Sequence, residues 1–213
     1  MRSLGLLLLA VAVLGGCGSA GQTQSTTGAG PPLGSVHARL CYPRGVPLTM
    51  ACRSPDGQWT VEFGSGPGTQ LILTRVSTGT RTEGYSSHDS CCADIAWALP
   101  HRLFFADGNH TFALDPTKGR ARFVAAFSDF YASPDGAWVA GYDSPPRLQP
   151  QFAALVNVAN RSCVLFPGTR NYVGPHAPAS GFSRDGKYVV VSKSSGRLTR
   201  YRIASLNDPC PTE

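Results

Sequence analysis

Apolar positions along this chain fall in short runs, and three of those runs are entered through nearly the same polar turn. Ser54-Pro55-Asp56-Gly57 leads into Gln58-Trp59-Thr60-Val61, Ser133-Pro134-Asp135-Gly136 into Ala137-Trp138-Val139-Ala140, and Ser183-Arg184-Asp185-Gly186 into Lys187-Tyr188-Val189-Val190. An aromatic residue sits two positions after each glycine. Proline presets φ at the first corner of a type I turn, aspartate is tolerated at the second and bonds nearby N–H groups, and glycine takes the left-handed conformation that follows. This combination closes a β-hairpin with a bulge. Asp56, Asp135 and Asp185 are thereby accounted for as turn formers. Beyond the N-terminus no stretch sustains a helical period.

The interval between the first two copies is long enough to hold a degenerate one. Trp97 to Phe105 supplies it, with Pro100 standing for Pro55, Arg102 for Gly57 and Phe104 for Trp59. A second signal follows each turn. Leu73-Thr74-Arg75-Val76 runs into Ser77-Thr78-Gly79, Phe112-Ala113-Leu114 into the Asp115 to Gly119 turn, Leu155 to Val158 into Ala159-Asn160, and Leu198 to Ile203 into Ala204 to Asn207. Each unit thus reads as four short antiparallel strands. A single such sheet cannot bury both faces, but several packed radially can. The expected fold is all-β: a small β-propeller of about four four-stranded antiparallel blades, with an open or incomplete array of such sheets as the alternative. Trp59, Trp138, Tyr188 and Phe104 would fill equivalent spaces between blades. Val36 to Tyr42 would pair with the last blade and close the ring.

Composition supports short strands and turns, with 24 glycines and 17 prolines among 213 residues. The formal charge of +6 comes from 19 basic and 13 acidic residues that are scattered rather than clustered, so no nucleic-acid partner is expected. The N-terminus departs from the rest. Met1-Arg2-Ser3 is followed by an apolar run from Leu4 to Leu14, too short to span a membrane and of signal-peptide length. Gly18 to about Ser35 contains little to bury and reads as a flexible tether. Residues 1–16 are therefore expected to be a signal peptide, 17–35 a tether and 36–213 the folded domain.

Two resemblances sharpen this picture. Leu14-Gly15-Gly16-Cys17 resembles the lipobox of bacterial lipoproteins, which implies cleavage before Cys17, lipidation of its thiol and a lipid-anchored protein facing the extracytoplasmic side of a cell membrane or outer membrane. Firm anchoring needs two or more acyl chains. The Ser-Pro-Asp-Gly-x-aromatic pattern resembles the WD-like propeller repeats of TolB-like proteins and of the non-catalytic propeller of prolyl-oligopeptidase-type peptidases. Those families usually have six or seven blades. The chain has no G-x-S-x-G elbow, which Gly64-Ser65-Gly66 does not satisfy.

Setting Cys17 aside, Cys41, Cys52, Cys91, Cys92, Cys163 and Cys210 suggest disulfides in an oxidising compartment. A zinc site is the weaker alternative, since no C-x-x-C pair is present. A Cys41–Cys210 bond would latch the two ends of a ring, and a Cys52–Cys92 bond would join neighbouring units. His88 to Cys92 is the densest polar-reactive stretch but lies before an inner strand. Asp107-Gly108-Asn109-His110 reads as a hairpin turn rather than a calcium loop. The longest irregular stretch, Gly168 to Ser180, stands outside the repeat. Its Arg170, Asn171, Tyr172 and His176 are the candidate binding residues, because long loops on a rigid scaffold carry recognition. No catalytic residues, metal or cofactor are assigned. The expected function is a membrane-anchored binding or scaffold module for a protein, peptide or glycan. The alternative is a cell-envelope hydrolase or lyase acting at the channel mouth.

Overall fold

A computed structural model describes residues 39–41, 51–64, 69–87, 93–143, 152–168, 181–193 and 195–210. Its strands are β1 (Arg39–Leu40), β2 (Cys52–Arg53), β3 (Trp59–Phe63), β4 (Thr69–Arg75), β5 (Arg81–Ser87), β6 (Ala93–Ala98), β7 (Arg102–Asp107), β8 (His110–Asp115) and β9 (Arg120–Ala125). They continue with β10 (Phe127–Ala132), β11 (Trp138–Asp143), β12 (Phe152–Asn157), β13 (Cys163–Leu165), β14 (Gly181–Phe182), β15 (Tyr188–Ser192) and β16 (Leu198–Arg202), and a 3-10 turn over Ile203–Ser205 follows. Four antiparallel sheets result, in the orders β2-β3-β4-β5, β1-β6-β7-β8-β9, β10-β11-β12-β13 and β14-β15-β16. They are blades 1 to 4.

The turn motif lies between the first and second strand of each blade, as its chemistry requires. In the three intact copies the serine hydroxyl donates to the aspartate and accepts the N–H of the following aromatic residue, for example Ser133 Oγ to Asp135 at 2.5 Å and Trp138 N to Ser133 Oγ at 3.0 Å. Gly57, Gly136 and Gly186 hold φ of 72°, 66° and 65°. The aspartate serves the backbone, accepting the N–H of Gln58, Ala137 or Lys187.

Burial explains how the sheets stack. β7 and β12 each carry four consecutive buried residues, the signature of strands covered on both faces. Leu103 and Phe105 face blade 1 with Val61, Leu71, Leu73 and Trp97, whereas Phe104 and Ala106 face blade 3 with Phe130, Val139, Ala154 and Val156. Between blades 3 and 4 lie Tyr131, Ala140, Leu155, Phe182, Val189 and Val191. Each fully buried Leu or Phe contributes about 1.5–3 kcal/mol, so these three interblade cores hold the array together. Polar ties cross the same interfaces. Trp97 Nε1 donates to Cys52 O at 3.2 Å, Thr111 Oγ1 to Phe127 O at 2.9 Å and Tyr131 OH to Val190 O at 3.2 Å.

The array does not close. Among the described residues no strand of blade 4 pairs with blade 1, and no apolar cluster joins them. The expected ring closure by the N-terminal segment is corrected: β1 pairs with β6, Arg39 opposite Trp97 and Leu40 opposite Ala96, adding a fifth strand to blade 2. Among the described residues blade 4 has three strands. After the 3-10 turn the chain leaves it for blade 3, where Leu165 N donates to Asp208 O at 2.7 Å and Cys210 N to Cys163 O at 3.2 Å.

The degenerate copy also differs from its expected register. Trp97 pairs with Leu103 on the face towards blade 1, as Ala132 pairs with Val139 towards blade 2 and Phe182 with Val189 towards blade 3. Aligned this way, the blade 2 turn is one residue shorter than the others. Arg102 therefore occupies the position of Trp59, Trp138 and Tyr188, and Phe104 corresponds to Val61 and Ala140. Arg102 Nη1 donates to Gly136 O at 2.7 Å, reaching the next blade as the tryptophans do by packing.

Candidate functional site

The sulfur pairing follows from the strand topology. Cys41 lies beyond β1, its N–H donating to Ile95 O at 2.8 Å, and β6 packs against the inner strand of blade 1. Cys41 thereby meets Cys52, with Cα atoms 5.3 Å apart. The tail pairing on β13 brings Cys210 to Cys163, Cα atoms 5.4 Å apart. Among the described residues the bonds are Cys41–Cys52 and Cys163–Cys210. The expected Cys41–Cys210 and Cys52–Cys92 bonds are corrected, because each terminus is stapled to an inner blade and the ends are not joined to each other. Cys92 lies outside the described residues, as do Cys17 and the candidate loop residues Arg170, Asn171, Tyr172 and His176.

Two surfaces bring polar and aromatic side chains together. The first is the row of turns. His101 Nδ1 lies 3.2 Å from Asp56 Oδ2, joining the turns of blades 1 and 2. Leu99 N donates to Pro134 O at 2.6 Å, joining those of blades 2 and 3. Partial burial pushes the Asp56 carboxyl up. The hydrogen bonds from Ser54, Gln58 and His101, with the His101 charge, outweigh it and hold the group below the ordinary carboxylate range. Asp115, in the β8–β9 turn at the same end of blade 2 as His101, is lowered in the same way: partial burial is overcome by the Thr117 hydroxyl and N–H, Lys118 and the His101 charge. These carboxylates are engaged by their own turns, so the row fastens blades to one another.

The second surface is an aromatic strip at the rim between blades 1 and 2. Tyr85 on β5 covers Phe105 and Phe112, with ring centroids 4.8 and 5.3 Å away. Phe112 meets Phe123 edge-on at 6.1 Å, and Phe123 meets His110 at 5.7 Å. Phe123 is 36% exposed and His110 is open to solvent, so the strip passes from core to surface. Tyr85 OH donates to Asp107 Oδ2 at 2.6 Å. Burial, then the bond to Asp107 and its charge, raise the phenol to about 12. Flat rings beside a carboxylate and an imidazole offer stacking and hydrogen bonding to an amphipathic ligand. Among the described residues no three of His, Cys, Asp and Glu cluster to hold a metal ion.

This strip was not legible in the sequence. Its members come from β5, β7, β8 and β9, and only the cross-strand register, such as that setting Phe112 opposite Phe123, assembles them. The spacing of His110 and Phe112 on one strand was the available signal.

No family model and no curated protein matches the chain. Solved structures do. The tricorn protease aligns with a TM-score of 0.52 at 12% identity, over 65% of this chain and 14% of that one. TolB from Acinetobacter baumannii gives 0.48 at 14% identity, over 73% of this chain and 43% of TolB. A puromycin hydrolase gives 0.49 at 16%, over 76% and 29%. The chain spans less than half of each, and the likeness is one of fold. The strand order, together with the tricorn protease alignment, defines the class: an all-β protein built of β-propeller blades.

Proposed function

We propose that the protein is a membrane-anchored extracytoplasmic lipoprotein whose blade array binds a protein, peptide or glycan. The observation that carries the binding reading is the scaffold itself. Face-packed blades with three interblade cores and two disulfides present surface residues on a rigid frame, the arrangement recognition requires. The anchor reading rests on Leu14-Gly15-Gly16-Cys17 and the polar tether behind it. In this account residues 1–16 are removed, Cys17 carries the lipid, and residues 36–213 stand clear of a cell membrane or outer membrane. Replacing Cys17 with Ser and fractionating cells tests the anchor: the variant should leave the membrane fraction, and unchanged processing and partitioning would overturn it. Capture of partners on the mature chain from its own cell envelope tests the binding reading. A specifically retained component is expected, and none surviving competition with free mature chain would contradict it.

A further inference from the structure

Among the described residues blade 4 ends one strand early, and its outer edge carries a defined backbone pattern. Ile203 N donates to Lys187 O and Lys193 N to Arg197 O, both at 2.9 Å, and these pairs flank the β15–β16 register. Hydrogen-bonded and non-hydrogen-bonded pairs alternate in an antiparallel ladder. Val189–Tyr201 and Val191–Thr199 are therefore the hydrogen-bonded pairs. The N–H and C=O groups of Leu198, Arg200 and Arg202 point away from β15, along the open edge. The Leu198 and Arg200 amides have no partner among the described residues. The segment that would supply the missing strand is committed elsewhere, since residues 208–210 pair with β13 and Cys210 is bonded to Cys163.

The side chains on this edge are as ordered as its backbone. Thr199 and Tyr201 share the face of Val189 and Val191, and Tyr201 packs on the core between blades 3 and 4, 5.6 Å from the Phe166 ring. Leu198, Arg200 and Arg202 lie on the opposite, exposed face. Arg200 sits 3.7 Å over the Tyr188 ring, and Leu198 is 46% exposed. An added strand would thus meet an apolar margin on one side and two guanidinium groups on the other.

We propose that β16 is a strand-addition site for an extended segment of a partner protein in which apolar residues alternate with acidic ones. Main-chain bonds to Leu198 and Arg200 would hold the segment, and Arg200 and Arg202 would select the acidic residues. This inference rests on the binding-module reading, and not on the membrane anchor.

The test uses the mature disulfide-bonded chain and two seven-residue probes, one alternating valine with glutamate and the other valine with lysine. Hydrogen exchange should show fast amides at Leu198 and Arg200 in the free chain and slow ones with the glutamate probe. Arg200→Pro removes an outward N–H without touching the bond to β15, and it should weaken the glutamate probe about tenfold or more. The double variant Arg200→Glu, Arg202→Glu should fold equally well and reverse the preference between probes. Amides already protected in the free chain, equal binding of both probes, or binding unaffected by Arg200→Pro would each overturn the inference. A partner captured from the envelope that binds the Arg200→Pro variant undiminished would sink the strand-addition site and leave the binding-module reading standing.

Discussion

Ser133 shows what the repeated motif does at the scale of one side chain. It is wholly buried, and its hydroxyl satisfies both Asp135 and the Trp138 N–H. Ser133→Ala leaves the partly buried Trp138 N–H without this partner, which costs about 1–3 kcal/mol. Ser183→Ala, in a copy where the serine is only half-buried, should cost less. Urea denaturation of both variants checks the order, and equal losses would contradict it. Gly84 makes a second case, since a Cβ there would lie 2.7 Å from Leu114 Cδ2 and 2.9 Å from Leu73 Cδ1. Gly84→Ala should cost about 1–3 kcal/mol by overpacking the interface of blades 1 and 2, measured as a shifted urea midpoint. Tyr85 supplies a pH test. Its folded-state phenol is raised to about 12, above the ordinary value of 10. A raised acid favours the folded state while it stays protonated, so its contribution is whole below pH 10 and is lost between about 10 and 12. Tyr85→Phe should flatten the loss of stability across that window, followed by denaturant midpoints at each pH.

At the scale of elements, much was legible because local chemistry decides it. Ser-x-Asp-Gly turns, with proline or arginine at the second place, readily close hairpins, and the three intact copies do so. The third strands β4, β8 and β12, which run into the turns holding Gly79, Gly119 and Asn160, are also where the apolar runs placed them. The degenerate copy was recognisable, but its register was not. The shorter turn carries the strand after it two positions past the expected alignment and leaves its faces unchanged, so Phe104 is a core residue of the Val61 type and Arg102 takes the place of the aromatic. The terminal segments were illegible for a different reason. Two residues of β1 and three of the tail carry no pattern of their own, and their position is set by which edges the other sheets leave open. The cysteine pairing followed those edges. In the chain-entropy account a bond closing 47 residues stabilises more than one closing 11, by about 1 kcal/mol. Replacing Cys163 and Cys210 by serine should therefore lower stability more than replacing Cys41 and Cys52, as read by thermal unfolding at fixed pH. The reverse order would show that strain or the lost edge pairing dominates.

At the scale of the molecule the described residues form a row of four blades whose first and last members do not pair with each other. The inner blades are apolar on both faces, and the outer ones turn a polar face outward: Thr60, Glu62 and Thr74 on blade 1, Tyr188, Arg200 and Arg202 on blade 4. The blade count and the all-β class could be read from the repeat. The candidate surfaces could not, because the aromatic strip and the β16 edge exist only once strands are set in register. Each end of the folded part is fastened to an inner blade, which leaves the array open. Peptide mapping of the mature protein without reduction distinguishes this arrangement from a closed ring. Linked peptides containing Cys41 with Cys52 and Cys163 with Cys210 are predicted, whereas a peptide joining Cys41 to Cys210 would mean that the ends meet and the ring is closed.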